Sequence, residues 1–185
     1  MKTKILIFFL FFGHFLIGQI KNDSLNQFNS HHKKNGLWKV YLTENLIQTK
    51  DTTKACYYGY NYYDNGQLVI LIASSQPYKK KAIKIVRSGE KPKAGQPLLL
   101  NGNFKFYYTD GLGLEEDYKD GLPVLLATCA TNDSGKSVQT EVLDYSARYN
   151  DQFGTFLYET MKTDGTSFEK KWFGKNKKGK WTFIK

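Results

Sequence analysis

Gly102-Asn103-Phe104-Lys105-Phe106-Tyr107-Tyr108-Thr109-Asp110-Gly111 is the stretch that decides the fold. Phe104, Phe106 and Tyr108 stand at alternate positions, and a period of two places them on one face of a pleated strand, with Lys105 on the other. Asp110-Gly111 ends the run. Glycine takes positive φ at no steric cost and aspartate bonds its own backbone, so the pair signals a hairpin. The chain then runs through Glu115-Glu116-Asp117 to Tyr118-Lys119-Asp120-Gly121 and a second turn of the same kind.

The alternation recurs outward from there in Trp38-Val40-Leu42, Phe156-Tyr158 and Trp181-Phe183, with further turn signals at Asp64-Asn65-Gly66 and Asp164-Gly165. Three runs, Leu68 to Ala73, Ala82 to Val86 and Val124 to Ala130, are more continuously apolar. Their length and β-branched content predict strands buried on both faces. Helical spacing over Thr140 to Tyr149 is weak, and a strand or irregular segment is expected there. The predicted fold is all-β, an antiparallel meander of successive hairpins in a single domain over residues 34–185. Residues 19–33 read as a flexible lead-in. Ser74 to Pro97, with three prolines and Lys79-Lys80-Lys81, reads as an inserted hairpin or a mobile edge.

One short pattern repeats: Gly36-Leu37-Trp38-Lys39-Val40, Gly102-Asn103-Phe104-Lys105-Phe106, Gly154-Thr155-Phe156-Leu157-Tyr158 and Gly179-Lys180-Trp181-Thr182-Phe183. Its form is Gly-x-aromatic-x-apolar. The glycine admits a turn or bulge at the strand start, and the aromatic lands on the same face two residues later, ready to stack on its equivalent in the next hairpin. Gly36, Trp38, Gly102, Phe104, Gly154, Phe156, Gly179 and Trp181 are the expected repeat core, with the four aromatics facing one shared interior. With tails such as Tyr63-Asp64-Asn65-Gly66 and Tyr118-Lys119-Asp120-Gly121, these units resemble MORN repeats, in particular the degenerate variant of bacterial exported proteins. The resemblance covers about half of residues 19–185, and the stretch Gln67 to Leu99 departs from it. It implies an elongated, twisted sheet of hairpins used for protein contacts and, in some members, lipid contacts, with no catalysis. Some bacterial members are labelled antitoxin-like.

Met1-Lys2-Thr3-Lys4 precedes an apolar stretch from Ile5 to Ile17, broken by Gly13-His14 and followed by Gly18-Gln19. That is the charged, apolar and cleavage-region order of a secretory signal. At 13 residues the stretch is short of the roughly 20 that span a bilayer. Residues 1–18 are therefore expected to be removed, for a periplasmic or secreted product, and no later segment is apolar enough to span a membrane. The signal takes two of the 27 basic residues and none of the 17 acidic ones, leaving a mature charge of +8. Export takes nucleic acid out of reach, so the field suits an envelope protein or an anionic glycan or lipid surface. An antitoxin acting in the cytoplasm fits export poorly. Cys56 and Cys129, the two cysteines, permit one disulfide in an oxidising compartment or two buried thiols. A bridge would close a 73-residue span, worth roughly 4 kcal/mol in the chain-entropy model.

Candidate chemistry is sparse. His31-His32 lacks nearby ligands for a metal. Glu115-Glu116-Asp117 places Glu115 and Asp117 on one strand face, the arrangement a glycoside hydrolase would need if one pKa were raised, or else a charged edge. Ser74, Ser75 and Ser88 sit in no nucleophile elbow. Gly111-Leu112-Gly113-Leu114 lacks the ending of a phosphate loop and reads as a turn. The basic clusters are Lys79 to Arg87 and, interleaved with aromatics, Lys170, Lys171, Trp172, Lys175, Lys177, Lys178 and Lys180. The C-terminal one is the candidate interaction surface. No cofactor is expected. A non-catalytic interaction or structural module of the bacterial envelope is the leading expectation, and a small secreted hydrolase acting on glycans is the alternative.

Overall fold

The computed structural model describes residues 25–72, 81–145, 156–161 and 167–184, with only the backbone described for 156–161, 167, 168 and 170. The 1–18 segment, Ser74, Ser75, Lys79, Lys80, Gly154 and Asp164-Gly165 lie outside the described residues.

The protein is all-β, made of antiparallel hairpins arranged as two sheets. In the first, β2 (Lys34–Leu42) and β4 (Tyr57–Asp64) pair over their length, Trp38 opposite Asn61 and Leu42 opposite Tyr57. Short strands β1 (Gln27–Phe28) and β3 (Gln48–Thr49) pair with β2, and β5 (Gln67–Ile70) pairs with β4. The second sheet begins at β6 (Lys84–Arg87), and the chain visits the first sheet once more through β7 (Leu98–Leu99). It then lays down β8 (Gly102–Tyr108), β9 (Gly111–Lys119), β10 (Leu122–Thr131), β11 (Ser137–Asp144), β12 (Phe156–Met161), β13 (Ser167–Lys175) and β14 (Trp181–Ile184) in chain order.

Local chemistry explains the hairpins. Asn65-Gly66 joins β4 to β5 and Asp120-Gly121 joins β9 to β10 as two-residue loops, with φ of 49° and 84° in the first and 51° and 78° in the second. Two positive φ values give the turn whose twist matches the flanking strands. Gly36, Gly102 and Gly179 all have positive φ (73°, 92° and 71°), a conformation that glycine takes without steric cost.

Phe104 and Phe106 alternate with Lys105 along β8 and are 1% and 0% exposed. They join Leu114 and Tyr118 of β9 to Val40, Leu42, Leu46, Tyr57, Ile72 and Leu100 in one core between the sheets. Phe104 meets Tyr57 and Tyr118 edge-on, with centroids 5.6 and 5.8 Å away.

The middle of β4 is the seam. Leu98 and Leu100 donate to the carbonyls of Cys56 and Tyr58, the Tyr60 N–H donates to the Gly121 carbonyl at 2.7 Å, and the Ile72 N–H donates to the Asn61 side-chain oxygen at 2.8 Å. Buried Asn61 thus stands in for a backbone acceptor, which keeps the Ile72 donor from being buried without a partner.

Several expectations are corrected. Residues 25–33 are tied down: β1 pairs with β2, and Asn29 Oδ1 accepts from the His31 and Lys33 amides. The run Ala82 to Val86 is not a strand buried on both faces. β6 is an edge strand, with Ile83 68% and Val86 40% exposed. The repeat aromatics do not share one interior either. Phe104 lies in the core between the sheets, whereas Trp181 belongs to a second cluster with Val69, Ile70 and Tyr145. Trp38 is half-buried beside Phe28 and Tyr63, with the Lys34 ammonium 4.4 Å from its ring centre. Phe156 pairs by backbone with Phe173, and its side chain lies outside the described residues.

Candidate functional site

The best candidate for acid–base work, Glu115-Glu116-Asp117, is split by the pleat of β9. Glu115 and Asp117 lie on the outer face, where both accept from one nitrogen, Asn103 Nδ2, at 3.1 and 2.8 Å. Lys105 Nζ reaches Glu115 Oε1 at 3.2 Å, and Gln139 Nε2 donates to Glu115 Oε2 at 3.2 Å. A register shift between Thr128 and Cys129 of β10 turns Gln139 to that face. Partial burial raises the Glu115 pKa, but the donors Asn103, Lys105 and Gln139 outweigh it and hold the carboxyl below its ordinary range. A glycosidic acid needs the opposite shift, and the space between the two carboxylates that a sugar bond would occupy is bridged by the Asn103 amide. The group is a cross-strand polar ladder. Glu116 points the other way, into the core, where it accepts from Tyr118 Oη at 2.8 Å. Burial first, then the charge and hydrogen bond of Glu116, push the Tyr118 phenol well above its ordinary pKa.

The C-terminal basic cluster is also divided. Along β13, Lys171, Phe173 and Lys175 share a face with Trp181 and Phe183 of β14, while Trp172 lies on the opposite face across from Ile184. Lys171 is paired with Glu169 at 2.7 Å, and Lys175 with Asp64 at 2.7 Å. Asp64 Oδ2 also accepts from Trp181 Nε1 at 2.6 Å, and Gln67 Nε2 donates to the Trp181 carbonyl at 3.0 Å. Burial raises the Asp64 pKa, and the bonds from Lys175 and Trp181 more than reverse it, so the net shift is downward. Asp64, in the turn tail Tyr63-Asp64-Asn65-Gly66, therefore clamps the last hairpin to the first sheet. Beyond the clamp, Asn176 Oδ1 accepts from the Lys178 and Lys180 amides and shapes a tight turn. Lys177, Lys178 and Lys180 project from it, exposed and in no ion pair among the described residues. Trp172 is 43% and Phe183 50% exposed. Of Lys170 only the backbone is described.

The remaining candidates do not converge. Cys56 and Cys129 are separate thiols, Cys56 entering β4 of the first sheet and Cys129 lying on β10 of the second. The possible disulfide is thus not formed, and burial raises both thiol pKa values, away from nucleophilic thiolate. His31 and His32 are exposed in the β1–β2 turn. Among the described residues no group of three or more His, Cys, Asp and Glu side chains could hold a metal. Ser88 Oγ accepts from the Asn103 amide at 2.8 Å, a structural bond. Gly111-Leu112-Gly113-Leu114 opens β9 as a strand, and a side chain on Gly113 would run into the Tyr108 ring.

Sequence reasoning found the carboxylates and the basic cluster but missed Asn103 and Gln139, which hold Glu115, and Asp64, which ties down Lys175 and Trp181. Asn103 had a signal: it faces outward two residues before Lys105. No helix among the described residues is long and apolar enough to cross a membrane. No protein-family model matches the chain, and neither a curated protein nor a solved structure matches it.

Proposed function

We propose that the protein is an exported, non-catalytic interaction or structural module of the bacterial cell envelope, built from MORN-like hairpins, and that its C-terminal hairpin meets an envelope protein or an anionic glycan or lipid surface. The observation that carries this is the contrast within one hairpin. Lys171 and Lys175 are neutralised by Glu169 and Asp64, whereas Lys177, Lys178 and Lys180 at the tip stand clear. A clamped base and a charged tip offer a rigid basic surface to an anionic partner. Glu115, the carboxyl a hydrolase would use as its acid, is held below its ordinary pKa by two amides and a lysine.

Capture from envelope extract on the immobilised protein tests the reading. Binding is expected at low salt and release by about 0.5 M, because exposed charges are screened beyond roughly 10 Å at 0.1 M and more closely at higher salt. Lys177→Glu with Lys178→Glu should abolish capture and leave the melting temperature nearly unchanged. Capture indifferent to salt and to both substitutions overturns the assignment of the surface.

A further inference from the structure

The edge strand β6 carries the inference furthest. Ser88 N–H donates to the Asn103 carbonyl at 3.0 Å, and the β6–β8 register continues as Val86 opposite Lys105 and Lys84 opposite Tyr107. Hydrogen-bonded and open pairs alternate in an antiparallel ladder, so the N–H and C=O groups of Ile85 and Arg87 point away from β8. Among the described residues β6 pairs with β8 alone, and none bonds to those four groups. An open groove of about 650 Å³ runs along this edge, walled by Glu44 and Asn45 on one side and by Ala82 to Arg87 on the other.

A row of unmet backbone donors and acceptors is complementary to one thing, another extended strand. Charge decides whose. The edge carries Lys81, Lys84 and Arg87, and among the described residues of the groove wall the one carboxylate, Glu44, already pairs with Arg87 at 3.2 Å. A second copy would bring the same lysines on a chain of net charge +10, or +8 without residues 1–18. Like charges set opposite each other destabilise a strand pair, and opposite charges support it.

The geometry points to the outer edge of β6 as a docking edge for an extended acidic segment of another protein, added as a further strand in the order acidic–apolar–apolar–acidic. The acidic residues stand opposite Arg87 and Lys84, and the apolar ones opposite Val86 and Ile85. The order reads the same in either strand direction. Exposed Val86 gives the outward apolar residue a neighbour. This surface is distinct from the C-terminal hairpin, so Lys177→Glu with Lys178→Glu leaves it intact.

The test uses the full chain with the synthetic peptide TTEVVETT as probe and TTKVVKTT as its charge-reversed control. Fluorescence anisotropy is expected to show binding of the acidic peptide alone. Amide exchange by NMR should slow at Ile85 and Arg87, while Lys84 and Val86, already bonded to β8, are unchanged. Lys84 is exposed, so Lys84→Glu leaves the fold intact. It should weaken TTEVVETT by about three- to tenfold and strengthen TTKVVKTT, since one cross-strand pair turns from attractive to repulsive. Binding with no slowing at Ile85 and Arg87, binding indifferent to Lys84→Glu, or no binding overturns the proposal. A free chain that is already dimeric with those two amides protected overturns it in favour of a second copy.

Discussion

β8 and β14 carry the same motif and meet different fates. Gly102-Asn103-Phe104-Lys105-Phe106 places both large residues between two sheets, where they are 1% and 0% exposed. Gly179-Lys180-Trp181-Thr182-Phe183 places Trp181 under β5 and Tyr145 but leaves Phe183 half open at the edge of the second sheet. The pattern specifies which face a side chain takes, and what covers that face comes from elsewhere in the chain. The two regions are accordingly held by different physics. β8 is held by apolar burial, and β14 by one stacked pair, Phe173 with Trp181 at 6.0 Å, plus a polar clamp on Asp64.

The largest expected effect lies on the buried side of that contrast. Phe104→Ala should destabilise the protein by about 3–5 kcal/mol in chemical denaturation, as expected for a fully buried phenylalanine. A cost below about 1 kcal/mol would mean that the first sheet does not cover β8.

On the clamped side, Asp64→Asn should cost about 2 kcal/mol. Most of that comes from the charge-assisted bond of Trp181 Nε1 and little from the half-exposed Lys175. The loss should be local, seen as faster amide exchange in β13 and β14 with β8 unaffected. The pH dependence follows in sign. The Asp64 and Glu115 pKa values are depressed on folding, so their stabilisation is complete above the ordinary carboxylate range. It is lost as the pH falls from about 4 through the lower folded values. Denaturation curves of the natural chain and Asp64→Asn should converge toward acid. A difference that stays constant down to pH 2 would assign the clamp to packing.

The strands of both regions were legible because alternation and turn chemistry are local. Asn65-Gly66 and Asp120-Gly121 needed no distant partner to be read, and the repeat glycines behave as their neighbours demand. Contacts across long separations were not legible. Asp64 and Trp181 are 117 positions apart, and nothing near either residue names the other. Ala82 to Val86 reads as a buried strand because an apolar run has the same letters at a sheet edge as in its middle, and only the missing neighbour distinguishes them. The carboxylate pair at Glu115 and Asp117 is visible, but its chemistry is set by Asn103 and by Gln139, which reaches Glu115 only because β11 carries one extra residue opposite the Thr128–Cys129 step of β10. The spacing of Trp38 predicts a core position. Its fate depended on where the second sheet stops covering the first.

Phe183 gives the smallest effect and the sharpest reading of the contrast. Its ring meets Phe173 edge-on at 5.3 Å, with the Lys171 ammonium 5.7 Å from its centre, and half its surface faces solvent. Half the apolar burial of a phenylalanine amounts to about 1 kcal/mol, so Phe183→Ala should destabilise by about that much, several-fold less than Phe104→Ala in β8. The two substitutions are far enough apart to be combined. If β8 and β14 belong to separately stabilised regions, the double variant should lose the sum of the single losses within about 0.5 kcal/mol. A larger departure from additivity would show that the two clusters behave as one core despite the open edge, and that the half-exposed ring is coupled to the interior through Phe173 and Trp181.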